Sequence, residues 1–216
     1  MYELSIVIPT RNRADALLKA ILGIEQSTHI SHEIIVVDGA STDATNGVLM
    51  LAGSIMATRL RVIREGTNLG FAAACNKGVA IARGHYVCVL HDDVHPQDGA
   101  LEAAVDRLER AGENTIVALS VGDSRATKVN GTTLVDFPVA RRQTFIDVPL
   151  DAGLRSGAAT LEWSLRAGAA GKSVQHSTKS SLTSHADGAR ENLTGRAERQ
   201  TVLDRAAQTR TIRKAA

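Results

Sequence analysis

The sequence predicts an α/β protein: a mainly parallel sheet flanked by helices. Strand-like and helix-like segments alternate four times between residues 4 and 112. The strand segments are continuously apolar, as strands covered on both faces are. Polar residues gather just past their carboxyl ends, where open sheets of this kind bind ligands.

Each element has its own signal. "LSIVI" (4–8) is a short β-rich run, followed by "RADALLKAILGI" (13–24) with Ala16, Leu17, Ala20, Ile21 and Ile24 at helical spacing. "EIIVV" (33–37) is the second strand, and "TDATNGVLMLAGSI" (42–55) a helix weakened by Gly47. "RLRVIRE" (59–65) is a third strand, "GFAAACNKGVAIA" (70–82) a helix rich in small residues, and "YVCVL" (86–90) a fourth strand. "GALEAAVDRLERAG" (99–112) puts Leu101, Ala104, Val105 and Leu108 on one helical face and stops at Gly112. Beyond it the pattern loosens. "TIVALSV" (115–121) and "TTLVDFPVA" (132–140) are expected strands, Asn130-Gly131 is a hairpin signal, and "ATLEWSLRAGAA" (159–170) an expected helix. Residues 186–216 are polar, with seven basic and four acidic side chains, and are expected to form a solvated helix or frayed tail.

Composition removes several function classes. A chain of 216 residues with net charge +2 gives no electrostatic reason to bind nucleic acid. No apolar run approaches the ~20 residues that span a bilayer, and "MYELSIVIPTRNR" shows no signal-type leader. Cys75 and Cys88 sit in apolar stretches without ligand spacing and read as buried thiols. A cytoplasmic protein is expected, with peripheral membrane contact left open.

The polar singularities carry the chemistry. In "YVCVLHDDVHP", Asp92 and Asp93 follow a buried strand with His91 before them. Turn and capping chemistry accounts for one aspartate. A second beside it is repelled unless a positive charge lies between them, which a hard divalent cation supplies. Asp38 ends the second strand and is placed to accept hydrogen bonds from a base or ribose, whereas Ser41, Thr42 and Asp43 read as ordinary helix capping. In "TNLGFAAACNKG" (67–78), Gly70 allows close approach to a ligand and Lys77 offers charge against phosphate, without a Gly-rich phosphate loop.

In this order, "SIVIPTRNRADALLKAI", "EIIVVDGASTDAT" and "NLGFAAACNKGVAIARGHYVCVLHDDV" resemble the family 2 glycosyltransferases of the nucleotide-diphospho-sugar (GT-A) fold. A looser match runs through "FPVARRQTFIDVPLDAGLRSGAATLEWSLRAGAAGK". The resemblance implies a nucleotide-diphospho-sugar donor, Mn2+ or Mg2+ as cofactor, and inversion. It assigns Thr10, Arg11 and Asp38 to nucleobase and ribose, with Arg11 where many members carry tyrosine. Asn68, Gly70 and Lys77 border the nucleotide and phosphates. Asp92 and Asp93 form the metal motif, with Asp93 the more direct ligand, and His185 or its competitor His176 would face the metal.

The same resemblance exposes a departure. Many members carry a Glu-Asp pair at the start of the helix read at 159–170, and its Asp is the general base; here those positions are Ala159 and Thr160. Glu162 and Asp151 are weak substitutes, because Glu162 points about 200° away from Thr160 on a helix. An anionic acceptor such as a lipid phosphate would need no base. The sequence therefore implies a nucleotide-binding half (1–112), a smaller acceptor half (113–185) of the same domain and the polar tail. The expected activity is metal-dependent sugar transfer to an acceptor left open among glycan, lipid phosphate and protein. The alternative is a nucleotide-sugar-binding protein impaired in catalysis. A nucleotidyltransferase ranks last, since "PTRNRADA" lacks the glycine-rich loop it would need.

Overall fold

The computed structural model describes residues 2–121, 128–129, 132–184 and 196–204. Its first half follows the sequence closely: β1 (Leu4–Thr10), α1 (Ala14–Ser27), β2 (His32–Asp38), α2 (Thr45–Met56), β3 (Leu60–Arg64), α3 (Phe71–Ile81), β4 (Tyr86–Val89), a short β5 (Val94–Pro96) and α4 (Ala100–Ala111). The second half adds β6 (Thr115–Val121), β7 (Lys128–Val129), β8 (Thr132–Thr133), β9 (Phe137–Arg141), α5 (Arg142–Asp147), α6 (Ala158–Ala169) and β10 (Ser173–Ser184).

One eight-stranded sheet, ordered β3-β2-β1-β4-β9-β6-β10-β5, runs through both halves. β3, β2, β1 and β4 are mutually parallel, as predicted. β9 lies antiparallel between β4 and β6, so the sheet as a whole is mixed. The crossovers run from β1 to one side through β2 and β3, then return to its other side as β4. That reversal opens a crevice beyond the carboxyl ends of β1 and β4.

Alternation along the strands feeds two cores. Ile6, Ile8, Ile34, Val36 and Cys88 point to the face covered by α1, α2 and α4. Val7, Ile35, Val87 and Val89 point to the face covered by α3, α5 and α6, where Phe145 stacks on Trp163 at 4.6 Å. Both cysteines are buried and free.

Three expectations change. The strand expected over 132–140 divides into β8, which pairs with β7, and β9, which pairs with β4 and β6, with residues 134–136 between them in neither ladder. β10, "SVQHSTKSSLTS", has no apolar period and was not legible; pairing with β6 and β5 makes it a strand. Residues 196–204 are helical, and Val202, 2% exposed, enters the second core, so this part of the tail is docked. Asn130-Gly131 lie outside the described residues. Among the described residues no helix is long and apolar enough to cross a membrane.

Candidate functional site

A cleft of about 540 Å³ occupies the crevice. Thr10, Arg11 and Arg13 line it from the end of β1, Asn68 to Phe71 from the entry to α3, and His91 and Asp92 form its floor. Asp136, Phe137, Arg155 to Ala158 and Arg199 make the opposite wall. Of the residues singled out in the sequence, Thr10, Arg11, Asn68, Gly70 and Asp92 thus come together.

The turn after β1 is locked from the side. Asn12 takes a left-handed backbone (φ 53°). Its amide donates to Ser41 Oγ at 2.8 Å, and its Oδ1 accepts the Thr42 amide at 2.7 Å. Ser41 also donates from Oγ to Asp38 Oδ1 at 2.5 Å, so it braces Asp38 instead of capping α2. Asp43 instead accepts the Thr45 amide at the start of α2 and the Ala14 amide at the start of α1. Asp38 is buried and outside the cleft wall; among the described residues its Oδ2 has no hydrogen bond.

The paired carboxylates are held by a residue that sequence reasoning missed. Arg13 bridges them, with Nε 3.3 Å from Asp92 Oδ1 and Nη2 3.2 Å from Asp93 Oδ2. Thr10 Oγ1 donates to Asp92 Oδ2 at 2.7 Å. The positive charge that two adjacent buried aspartates require thus comes from within the chain. The second arginine of "PTRNR" was its only sequence signal. Burial pushes Asp92 up from 3.8 to about 6, against the pull of Arg13 and Thr10 and with Asp93 adding to the push.

Asn68 and Gly70 join the two walls. Gly70 has φ 83°, and a Cβ there would lie 3.1 Å from Arg155, so its close approach is to the chain itself. Arg155 donates from Nη2 to Asn68 O at 2.8 Å, and its carbonyl accepts the Phe71 amide at 3.0 Å. The first amide of α3 is therefore bonded within the protein. Lys77 lies outside the cleft, bonded through Nζ to Glu65 Oε1 at 2.6 Å.

Neither position expected to hold a base faces the cleft. Ala159 and Thr160 are fully buried, and Thr160 Oγ1 donates to Gly157 O at 2.8 Å. Glu162 pairs with Arg166 at 2.6 Å and Asp151 closes a turn onto the Gly153 amide, both away from the cleft. A different acid stands at the start of α6. Glu198, from the 196–204 helix, accepts the Arg155 and Ser156 amides, the latter at 2.9 Å, and the Ser156 hydroxyl at 2.7 Å. Gly157 packs on His91, where a Cβ would come within 2.5 Å of Cε1. His91 also meets Phe71 at 4.7 Å and Phe137 at 5.2 Å. His176 lies in β10 outside the cleft wall, and His185 lies outside the described residues.

The donor set fits a hard divalent cation. Asp92 offers carboxylate oxygens on the cleft floor with the buried Asp93 carboxylate next to it in the chain, and no group of three or more His, Cys, Asp or Glu forms a metal cage among the described residues. Such a site would supply two protein ligands and leave the remaining positions to phosphate oxygens and water, as Mg2+ prefers.

Comparison with known proteins identifies the family and the fold. The sequence model described as Glycosyl transferase family 2 matches residues 5–157. The succinoglycan biosynthesis protein ExoO of Rhizobium meliloti is 27% identical over 154 residues, covering 71% of this chain and 42% of that protein. The chain spans about two fifths of the length of the curated relatives it matches. Among solved structures, the mannosyltransferase PcManGT from Pyrobaculum calidifontis in complex with GDP-Man and Mn2+ superimposes with a TM-score of 0.76 at 17% identity, over 98% of this chain and 64% of that one. S. aureus TarS 1-349 in complex with UDP gives 0.64 at 17% identity, over 83% and 59%. These structures share the GT-A fold.

Proposed function

The chain belongs to glycosyl transferase family 2, and on that premise we propose that it moves a sugar from a nucleotide-diphosphate donor to an acceptor, with inversion at the anomeric carbon. The observation that carries the reading is the buried Asp92-Asp93 pair at the sheet's reversal point, with Asp92 on the floor of the cleft and Asp93 directly behind it in the chain. Thr10, Arg11 and Asp38 serve base and ribose, Arg11 offering a planar guanidinium with no partner among the described residues. Asn68 and Gly70 border the nucleotide, and Lys77, outside the cleft, offsets the Glu65 carboxylate on its wall. Asp93 and Asp92 hold Mn2+ or Mg2+, which supplies positive charge against the departing diphosphate. His185 stays a proposed third ligand. Residues 1–112 form the donor half and 113–185 the acceptor half. A cytoplasmic setting belongs to the same reading, supported by two buried, unpaired cysteines.

The test is calorimetric titration of UDP and GDP with and without Mn2+, followed by donor cleavage. Mn2+-dependent nucleotide binding that disappears in Asp93→Ala is expected; binding indifferent to both metal and Asp93 refutes the reading. A second reading, donor binding without turnover, is favoured by the burial of Ala159 and Thr160 where an acid is usual in this family. Metal-dependent binding with no cleavage of any donor would select it.

A further inference from the structure

We propose that Asp136 is the base that takes the acceptor's proton, an inference that rests on the glycosyl-transfer reading above. Among the described residues, three carboxylates line the cleft: Glu65, Asp92 and Asp136. Glu65 is engaged by Lys77 at 2.6 Å. Asp92 is engaged by Thr10 and Arg13 and belongs to the metal pair. Glu198, at the start of α6, spends its oxygens on two backbone amides and a hydroxyl. Asp136 differs from all of them. Its side chain is 53% exposed and accepts no hydrogen bond among the described residues, and its one ion-pair partner, Arg199, stands 3.9 Å away. Its oxygens are open to an incoming hydroxyl.

The sheet places it correctly. β9 runs antiparallel to β4, with Tyr86 opposite Arg141 and Cys88 opposite Val139. Carried three residues further, this register sets Asp136 opposite His91, beside Asp92. The contact of His91 with Phe137 at 5.2 Å shows that the two chains stay together past the last paired residues. Neighbouring strands are ~4.8 Å apart, so the metal carboxylates and Asp136 emerge from adjacent strands at one end of the sheet. A sugar whose diphosphate sits over Asp92 and Asp93 then has Asp136 on the acceptor side. In the transfer, the acceptor oxygen bonds to the anomeric carbon and its proton passes to an Asp136 carboxylate oxygen. The bond from the anomeric carbon to the diphosphate oxygen breaks, and its electron pair leaves on that oxygen. Arg199 is a positioning residue. It is delivered by the 196–204 helix, which Glu198 and the buried Val202 anchor.

The test follows cleavage of UDP-glucose and GDP-mannose by the full chain with Mn2+, water serving as acceptor, beside UDP affinity. Asp136→Asn and Asp136→Ala should slow cleavage by ~10²–10⁴-fold while UDP affinity stays within about twofold. Formate should restore part of the Asp136→Ala rate, which a merely structural role would not allow. Arg199→Met should lower the rate and Arg199→Lys recover it, while Glu162→Gln leaves it unchanged. Cleavage by Asp136→Asn within about threefold of the wild type overturns the base assignment alone, as does a rate loss matched by an equal loss of UDP affinity. A wild type that binds UDP without cleaving either donor overturns the base and favours silent binding. One that neither binds UDP nor cleaves overturns the transfer reading itself.

Discussion

Replacing Asp92 by asparagine should make the protein more stable, and the gain should depend on pH. Burial raises Asp92 from 3.8 to about 6, so the folded chain holds this proton more tightly than the unfolded chain does. With a folded value above the unfolded one, the wild type is favoured while Asp92 is protonated and loses stability as pH rises from about 4 to beyond 6. The rise of about two units, at ~1.4 kcal/mol per unit, amounts to about 3 kcal/mol at neutral pH. The Asp92→Asn variant has no proton to lose at this position and escapes that loss, although its amide group meets Arg13 less well than a carboxylate does. A net gain of about 2 kcal/mol at pH 7.5 is expected, shrinking towards zero near pH 4.5. The assay is urea unfolding of both proteins across this range in the presence of a chelator. A variant less stable than the wild type at pH 7.5, or a difference that does not change with pH, would show that Asp92 carries no such burial cost. On the proposed reading an ionised Asp92 is what a cation needs, and the cost would be a trade of stability for function.

Arg13→Met should lower stability at pH 7.5 by about 1–2 kcal/mol, less than a fully buried pair would because Arg13 is 41% exposed, and Mn2+ should raise its melting temperature more than that of the wild type. Equal melting temperatures without metal would argue against the bridge. Gly157→Ala drives a methyl into the His91 ring and should cost about 1–3 kcal/mol in thermal unfolding, with altered UDP affinity as a second readout. Glu198→Ala removes the acceptor for the Arg155 and Ser156 amides, and hydrogen exchange should show 196–204 opening while β1 and β2 keep their protection. Glu33 is fully buried and bonded by Ser5, Arg61 and the Arg83 amide; Glu33→Ala should cost about 3–5 kcal/mol in denaturant.

The parallel half of the sheet is written locally in the chain, because apolar runs and helical spacing are short-range signals that burial on both faces enforces. A polar residue at the end of a buried strand has to lie at the sheet's carboxyl edge for the same reason, and Thr10, Arg11 and Asp92 do meet at the cleft there. Reading failed where a role depends on a partner far along the chain. Arg13 and Asp93 are 80 residues apart, so nothing local says that one neutralises the other. Ser41 carries a capping signature, yet its hydroxyl is drawn to Asp38. β10 has no period of its own and exists because β6 and β5 supply its hydrogen bonds. Thr160 was found as a missing acid, but only the packing of α6 shows that its position is sealed in the core. The antiparallel pairing of β9 on β4 brings Asp136 and Asp92 to one cleft, and the docking of Val202 brings Arg199 to Asp136. Periodicity fixes which face of an element is buried; which elements become neighbours depends on backbone pairing and core packing over the whole chain. The site's charges were therefore visible in the sequence, whereas their balance comes from contacts that exist only once the distant elements have packed together.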